Sequence, residues 1–435
     1  LQTIQKRVED LDKREGFFNF YWDEEEGQIL LEIEAVGREF LLSSGSSTGI
    51  GSNDLGIDRT QLAGERLVEF RKVGPRVLLV EKNLRYRADR TVDADEIRAV
   101  REGFAESVLF AFPVQAREDE RILIDLSPLL VSDQLGIESR LRELEEGDFS
   151  LDPKRCSLYL PRTRNFPDNS EFEASLTFEG SNPGRELRSV VPNPNLITIR
   201  QHISFIRLPD DKYHPRAFHV LSGYFPLVYR DYSVPIGHDP VQRLITRHRL
   251  EKQDPAAEVS PPVEPIVYYL DPGIPEPVRG ALIEGGSWWN EAFEAIGYAD
   301  AFRIEVLPPG ADPMDVRFNV INWLHRSTRG WSYGQSIVDP RTGEILKGHV
   351  NLGSLRVRQD YLIAEGLLAP YTEKGLPPDD PMLEMDLARI RQLSAHEIGH
   401  TLGLAHNFAA SSESRASVMD YPHPLVLLDE EGNVV

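Results

Sequence analysis

Apolar residues alternate with polar ones, or form short runs bounded by turn residues, over most of the first 255 positions. Between residues 172 and 178, phenylalanine, alanine and leucine alternate with polar residues, which predicts a half-buried strand with one side facing solvent. Other segments rich in strand-forming residues are 17–22, 28–34, 67–70, 76–80 and 196–208. Helical periodicity is scarce there, and residues 93–103 and 136–146 are the better candidates. The small-residue stretch at 43–52 predicts a loop, because it lacks the Gly-Lys-Ser/Thr ending of a phosphate-binding loop.

A stretch rich in proline and alanine at residues 254–265 separates this part from a mixed pattern of helices and strands. The second part predicts, in order, a strand at 266–270, a helix at 275–296, strands at 302–307 and 316–323, a hairpin at 336–346 and a helix at 383–401. The chain is therefore predicted to be α+β, with a β-rich N-terminal domain over residues 1–255 and a second domain over residues 263–435. The length of the first domain leaves room for two subdomains.

The composition is that of a globular protein. Of 435 residues, 40% are hydrophobic and 27% are charged, which suffices for a substantial buried core. The formal net charge of −22 repels phosphate backbones, so no nucleic-acid partner is expected. No apolar run approaches the roughly 18 to 20 residues that cross a bilayer. Cys156 is the single cysteine, which excludes an internal disulfide and a cysteine-based zinc finger. The chain begins with Leu1 rather than methionine, so we expect a processing boundary there.

The motif that carries chemistry is HEIGHTLGLAH, which begins at His396. His396 and His400 are four residues apart, so a helix would present both imidazoles on one face, within reach of a single Zn²⁺. Glu397 can act as a base toward a zinc-bound water without ligating the metal. Gly403 can end the helix with a positive φ, and the chain can then turn back and bring His406 to the same ion. The spacing predicts an open, catalytic zinc site with three histidines.

A second motif, SVMDYP, follows at residues 417–422. HExxHxxGxxH followed by a methionine turn resembles the signature of the metzincin metallopeptidases. The resemblance implies that the three histidines bind Zn²⁺, that Glu397 is the general base, and that Met419 lies in a turn beneath the metal as a hydrophobic floor. Tyr421 matches a tyrosine of astacin-like and serralysin-like members, where it can bind the metal or stabilise the tetrahedral intermediate. A phenol packed in the core is the alternative for this residue.

The resemblance covers nearly the whole chain. The stretches GIGSNDLGIDR, GPRVLLVEKNLRYRA, PIVYYLDPGIPEP and HEIGHTLGLAHNF are similar to those of bacterial zinc-dependent metalloproteases with a large N-terminal domain of unknown function. It implies a twisted mixed sheet over the active-site helix, an edge strand within residues 336–353 that binds substrate backbone, and an extracytoplasmic location, periplasmic or secreted. Family members continue with a C-terminal subdomain after the methionine turn, so a chain that ends at Val435 is expected to lack it.

These observations predict a zinc-dependent endopeptidase that acts on a protein or peptide. Two alternatives stay open, namely a non-catalytic binding module in which zinc is structural and a zinc hydrolase of a non-peptide amide. Glu397 argues against a structural site, which needs no base. Whether Cys156 or the N-terminal domain confers latency stays open as well, although a lone cysteine in a β-rich segment is usually a small buried hydrophobe. Trp288 and Trp289 are interpreted as core residues. The sequence names neither the substrate nor the oligomeric state.

Overall fold

A computed structural model describes residues 2–368, 380–422, 425–432 and 434. Within these residues the α-helices are α1 (Ile4–Arg7), α2 (Ala94–Gly103), α3 (Ser127–Leu130), α4 (Ile137–Glu143), α5 (Arg185–Val190), α6 (Val278–Ser287), α7 (Trp289–Ala295), α8 (Leu355–Leu368) and α9 (Pro381–Thr401). Short 3₁₀ helices span Pro153–Arg155, Leu160–Arg162 and Phe408–Glu413. In the part of the chain that is described, no helix combines the length and the apolar character needed to cross a membrane.

Strands dominate the N-terminal region, so the α+β class and the β-rich first half are confirmed. The strands of the described residues are β1 (Asp12–Arg14), β2 (Phe20–Asp23), β3 (Gln28–Ile33), β4 (Glu39–Ser46), β5 (Gln61–Val73), β6 (Arg76–Glu81), β7 (Tyr86–Arg87), β8 (Ser107–Glu118), β9 (Arg121–Asp125), β10 (Asp148–Leu151), β11 (Ser157–Leu158), β12 (Arg164–Asn165), β13 (Asn169–Ser181), β14 (Leu196–Ile206), β15 (Pro226–Asp231), β16 (Val241–Ile245), β17 (Arg247–His248), β18 (Ile266–Leu270), β19 (Phe302–Val306), β20 (Asn319–Leu324), β21 (Tyr333–Val338) and β22 (Glu344–Gly353).

One large antiparallel sheet forms the N-terminal region. Among the described strands its order is β1-β2-β3-β9-β8-β6-β5-β4-β14-β13-β10, and β11 and β12 pair with β13 as well. One face of the sheet buries a core rich in phenylalanine, including Phe40, Phe70 and Phe205, whose rings lie 5.0 to 6.1 Å apart between centroids. The register places Phe172 opposite Ile203, so β13 and β14 contribute to the same core.

The prediction that residues 172–178 have a solvent-facing side is wrong. Phe172 and Phe178 lie in the N-terminal core, but Glu173 on the opposite face of β13 is also fully buried. That face carries paired charges, and His202 Nδ1 lies 3.4 Å from Glu173 Oε2. Two arginines of the N-terminal half form ion pairs with Glu173, and the C-terminal half covers the neighbouring part of this face, leaving a cavity of about 100 Å³ that Lys347 helps to line. Alternating apolar and polar residues indicate that the two faces of a strand differ in polarity, but they do not indicate whether other residues cover the polar face.

The predicted loop at residues 43–52 is wrong in its first part, because Ser43 to Ser46 belong to β4. This strand is hydrogen-bonded between β5 and β14, and backbone pairing of that kind does not depend on side-chain type. Gly45 fits there because a Cβ would lie 2.6 Å from the carbonyl oxygen of Gln61. Small residues therefore mark a crowded strand here rather than an open loop.

A second sheet forms the C-terminal half, with the order β17-β22-β20-β18-β19 and with β21 antiparallel to β22. Strands β18, β19, β20 and β22 run parallel to one another. The predicted order of strand, helix, strand, strand, hairpin and helix is confirmed, with two differences. The first helix breaks into α6 and α7 at Trp288, whose N–H donates to Gly285 O three residues back and tightens the turn. Helix α8 was not predicted because it has no apolar stripe, and its buried residues are Asp360 and Ala364.

Residues that precede the proline-rich stretch take part in both halves. Strand β17 pairs in parallel with β22, with Arg247 opposite Glu344. Strands β7, β15 and β16 form a small separate sheet. The division of the chain near residues 254–265 stays a prediction, and the segment before it completes the edge of the C-terminal sheet.

Candidate metal centre

Helix α9 carries the first two histidines. Asp380 caps its N-terminus by accepting the N–H groups of the second and third following residues at 3.1 Å each. Ile390 and Ile398 anchor the helix in the C-terminal core. His396 and His400 project from the same face, with ring centroids 4.7 Å apart. The four-residue spacing therefore brings the two rings together, as the sequence predicted.

A left-handed turn ends α9 and delivers the third histidine. Gly403 has φ of 100°, and the N–H of Leu404 donates to Gly399 O at 3.0 Å, the pattern of a glycine C-cap. The chain then reverses and places His406 beside His400, with their Nε2 atoms 3.1 Å apart. The positive φ of Gly403 and the return of the chain to His400 both agree with what the sequence predicts for this glycine.

The three histidines form a group that fits one metal ion. Ligand nitrogens of His396, His400 and His406 all lie within 4.8 Å of one another. Two nitrogens at 2.0–2.1 Å from a tetrahedral Zn²⁺ stand roughly 3.3 Å apart, close to the separation of the Nε2 atoms of His400 and His406. Among the described residues, this is the group of three or more potential ligands that could hold an ion.

Backbone carbonyls fix the tautomers of the first two histidines. His396 Nδ1 lies 2.7 Å from Val418 O, and His400 Nδ1 lies 2.8 Å from Leu404 O. A carbonyl only accepts hydrogen bonds, so each Nδ1 donates and each Nε2 keeps a lone pair for a metal. Burial lowers the pKa of His396 and of His406, and it lowers the pKa of His400 to about 4. All three rings are thereby held in the neutral form that binds metals.

The turn that contains Met419 packs beneath the helix. Met419 is buried, and its backbone O accepts the N–H of Asn407 at 2.8 Å. A side chain at Gly399 would overlap the sulfur of Met419 and press on the ring of Trp289. Trp289 in turn donates from Nε1 to Ala395 O at 2.9 Å. Gly399 is a further functional residue of the HEIGH motif, and its position between the two histidines is the sequence signal for it.

Tyr421 stands beside the three histidines rather than in the core. Its hydroxyl lies 2.7 Å from His406 Nε2, and the side chain is largely exposed, so the core alternative does not describe it. Its ring lies 5.3 Å from that of His396 between centroids. Burial raises the pKa of Tyr421, so the hydroxyl keeps its proton and can donate it in a hydrogen bond.

Glu397 is buried next to the first histidine and is separate from the three-histidine group. Burial raises the pKa of Glu397 to about 8, while the backbone N–H of Gly334 and the charge of Arg356 act in the opposite direction. Gly334 lies on β21, and a Cβ at this position would meet Glu397 O and the Cβ of His400. Strand β21 therefore passes directly over the helix, beginning three residues before the predicted edge-strand region.

Residues from the N-terminal half that the sequence does not predict also contact this region. His248 Nε2 lies 3.1 Å from Thr401 O, the last residue of α9. The ring of Phe225 lies 5.7 Å from that of His400 between centroids. These contacts join positions more than a hundred residues apart, so no local pattern signals them. Of the two tryptophans interpreted as core, Trp288 is instead partly exposed.

Cys156 lies away from the histidines. Its thiol donates to Asp152 O at 3.2 Å, and its side chain packs against the N-terminal core. Burial raises the pKa of this thiol, which disfavours the thiolate that binds metals. Within the described residues it is not part of the group that could hold an ion.

Comparison with known protein families agrees with the geometry at the C-terminus. Residues 378–435 match the family model described as Met-zincin. Residues 60–253 match a family model described as a domain of unknown function (DUF5117). No curated protein and no solved structure matches the chain. The family match and the three-histidine group together suggest a zinc metallopeptidase.

Proposed function

We propose that the protein is a zinc-dependent endopeptidase. The observation that carries the proposal is the group of three neutral histidines whose Nε2 atoms converge while carbonyls hold the Nδ1 atoms of two of them. A buried carboxyl group, Glu397, lies beside it. A site that only held zinc structurally would gain nothing from a buried base at this position.

Each residue has a chemical task in this proposal. His396, His400 and His406 hold the metal, and zinc bound there would polarise the scissile carbonyl and acidify water. The positive charge of bound zinc would favour the ionised form of Glu397, whose carboxylate would accept the proton of the attacking water and return it to the leaving amine. The hydroxyl of Tyr421, 2.7 Å from His406 Nε2, donates to the oxyanion that develops on the substrate.

Strand β21 is proposed to bind the peptide backbone. Among the described strands β21 pairs with β22 alone, so its other edge can accept an extended chain. Its closeness to Glu397 and His400, through Gly334, would lay that chain across the metal site. The mixed sheet, whose strands β21 and β22 contact α9, supports the metzincin type, and the extracytoplasmic location implied by the resemblance belongs to the same proposal.

The test compares zinc-loaded wild type with the Glu397→Ala variant on a library of quenched fluorescent peptides. We expect the variant to keep one zinc per chain by metal analysis and to lose peptidase activity by about 10²- to 10⁴-fold. Glu384→Ala, on the exposed side of the same helix, is the matched control and should cleave at the wild-type rate. Full activity of Glu397→Ala would refute the mechanism. Hydrolysis of non-peptide amides alone would favour an amidohydrolase, and zinc binding without any hydrolysis would favour a binding module.

A further inference from the structure

The surface beside His400 is built partly by the N-terminal half. The N–H of Phe225 donates to Gly403 O at 2.8 Å, and the N–H of Ala405 donates to Gly223 O at 2.8 Å. Residues 223–225 therefore run antiparallel to the turn that follows α9. On the other side, the N–H of Thr246 donates to Phe225 O at 3.1 Å. The backbone of Phe225 is thus fixed from two directions.

The side chain of Phe225 is held against the candidate metal centre and stays open to solvent. It is 41% exposed, and its ring lies 5.7 Å from the His400 ring between centroids, inclined by 40°. An exposed apolar side chain on a fixed backbone forms a preformed surface on which an apolar group loses water without a cost in ordering.

The position of this surface determines its occupant. The ring of Phe225 is partly exposed and contacts His400, so a side chain of a peptide whose carbonyl group lies at the three histidines comes within reach of this ring. A regulatory protein seated on Phe225 would instead block access to the histidines. A side chain of the substrate is therefore the occupant that is compatible with an open catalytic site.

We propose that the ring of Phe225 forms a specificity wall that binds an apolar side chain of the peptide substrate close to the scissile bond. The inference rests on the proposed peptidase function and extends it to the substrate class. It also gives the N-terminal half a direct part in substrate selection. The apolar wall favours leucine, phenylalanine or a similar residue over a charged one at this position.

The experiment scans one peptide position at a time with leucine, phenylalanine, serine and aspartate, using zinc-loaded full-length protein. Phe225→Ala should lower kcat/KM about tenfold for peptides with an apolar residue at one position and leave peptides with serine there unchanged. Phe225→Leu should retain most of the preference, and Phe225→Arg should shift it toward aspartate. Tyr232→Ala is the matched control, since Tyr232 is similarly exposed (49%) but packs against Phe104.

A second measurement separates this inference from the proposed function. Peptide binding to the Glu397→Ala variant is followed by fluorescence anisotropy, with and without Phe225→Ala, at equal zinc content. We expect the Kd of apolar peptides to rise about tenfold when Phe225 is truncated. Peptide binding without any cleavage by the wild type would refute the peptidase function and leave the wall intact. The proposal would be wrong if Phe225→Ala changed neither peptide binding nor cleavage. It would also be wrong if the variant lowered binding and cleavage equally for all peptides.

Discussion

Replacing Asp58 by alanine should weaken the contact between the two halves of the molecule. Asp58 precedes β5 in the N-terminal half, and its carboxylate receives two hydrogen bonds from Arg326 of the C-terminal half, at 2.8 and 2.7 Å. The hydroxyl of Tyr333 donates to the same carboxylate at 3.1 Å. The two charged side chains are only 7% and 3% exposed, so the ion pair is almost completely removed from solvent.

The magnitude follows from this burial. Asp58→Ala removes both charge-assisted hydrogen bonds and leaves the Arg326 guanidinium buried, with the carbonyl oxygen of Trp331 at 3.0 Å as a remaining partner. Removing one partner of a buried ion pair costs about 3 to 5 kcal/mol, mainly because the other charge stays desolvated. Replacing both residues, as in Asp58→Ala combined with Arg326→Met, should cost less than the sum of the single changes by about 2 to 3 kcal/mol.

The assay is urea unfolding of the wild type, both single variants and the double variant, followed by tryptophan fluorescence. Glu15→Ala serves as the control, because Glu15 forms an equally short but exposed ion pair with Lys13, at 2.7 Å. Its unfolding midpoint should match that of the wild type. The reasoning fails if Asp58→Ala costs less than about 1 kcal/mol, or if the double variant is no more stable than additivity predicts.

Three further changes test other parts of the structure. Gly403→Ala should lower the free energy of unfolding by more than about 2 kcal/mol and reduce zinc content, because φ is positive there and a Cβ would overlap Thr246 O. The control is Gly64→Ala, because Gly64 also has a positive φ but lies in open space. In the same urea titration it should cost only about 1 to 2 kcal/mol. Tyr421→Phe should lower kcat/KM about 10- to 100-fold at unchanged zinc content, and a wild-type rate would exclude its role in stabilising the oxyanion. Burial acts to lower the pKa of His202, but adjacent carboxylates raise this pKa to about 9. The protonated imidazole therefore stabilises the fold fully below pH 6.5, and this stabilisation is lost as the pH rises to 9. The contribution is at most about 3 kcal/mol. The difference in unfolding free energy between wild type and His202→Gln should therefore shrink over that range, and a constant difference would contradict the assignment.

The parts of the centre that could be predicted are local in sequence. His396, His400 and His406 meet because a helix repeats every 3.6 residues and because Gly403 permits one left-handed turn. Tyr421 was expected near the metal through the resemblance, and the structure places its hydroxyl beside His406. The relative placement of the three histidines is therefore encoded within eleven consecutive residues, although residues elsewhere in the chain support it.

The parts that could not be predicted depend on tertiary packing. Glu173 alternates with apolar residues as an exposed glutamate would, but its carboxylate is buried among Arg162, Arg200 and His202. Helix α8 has no apolar stripe, so periodicity gave no sign of it. Phe225 and His248 reach α9 and the turn after it from far along the chain, and no pattern within either segment records that contact.

The contact between His248 and the end of α9 also sets an order of events during synthesis. The two residues that it joins, His248 and Thr401, are 153 positions apart. At about 5 to 20 residues per second, a ribosome needs roughly 8 to 30 seconds to travel between them. The segment that supports the end of α9 and the turn at Gly403 has therefore been made long before the third histidine. A nascent chain therefore cannot bring the third histidine to the other two until the segment that contacts the end of α9 has already been made.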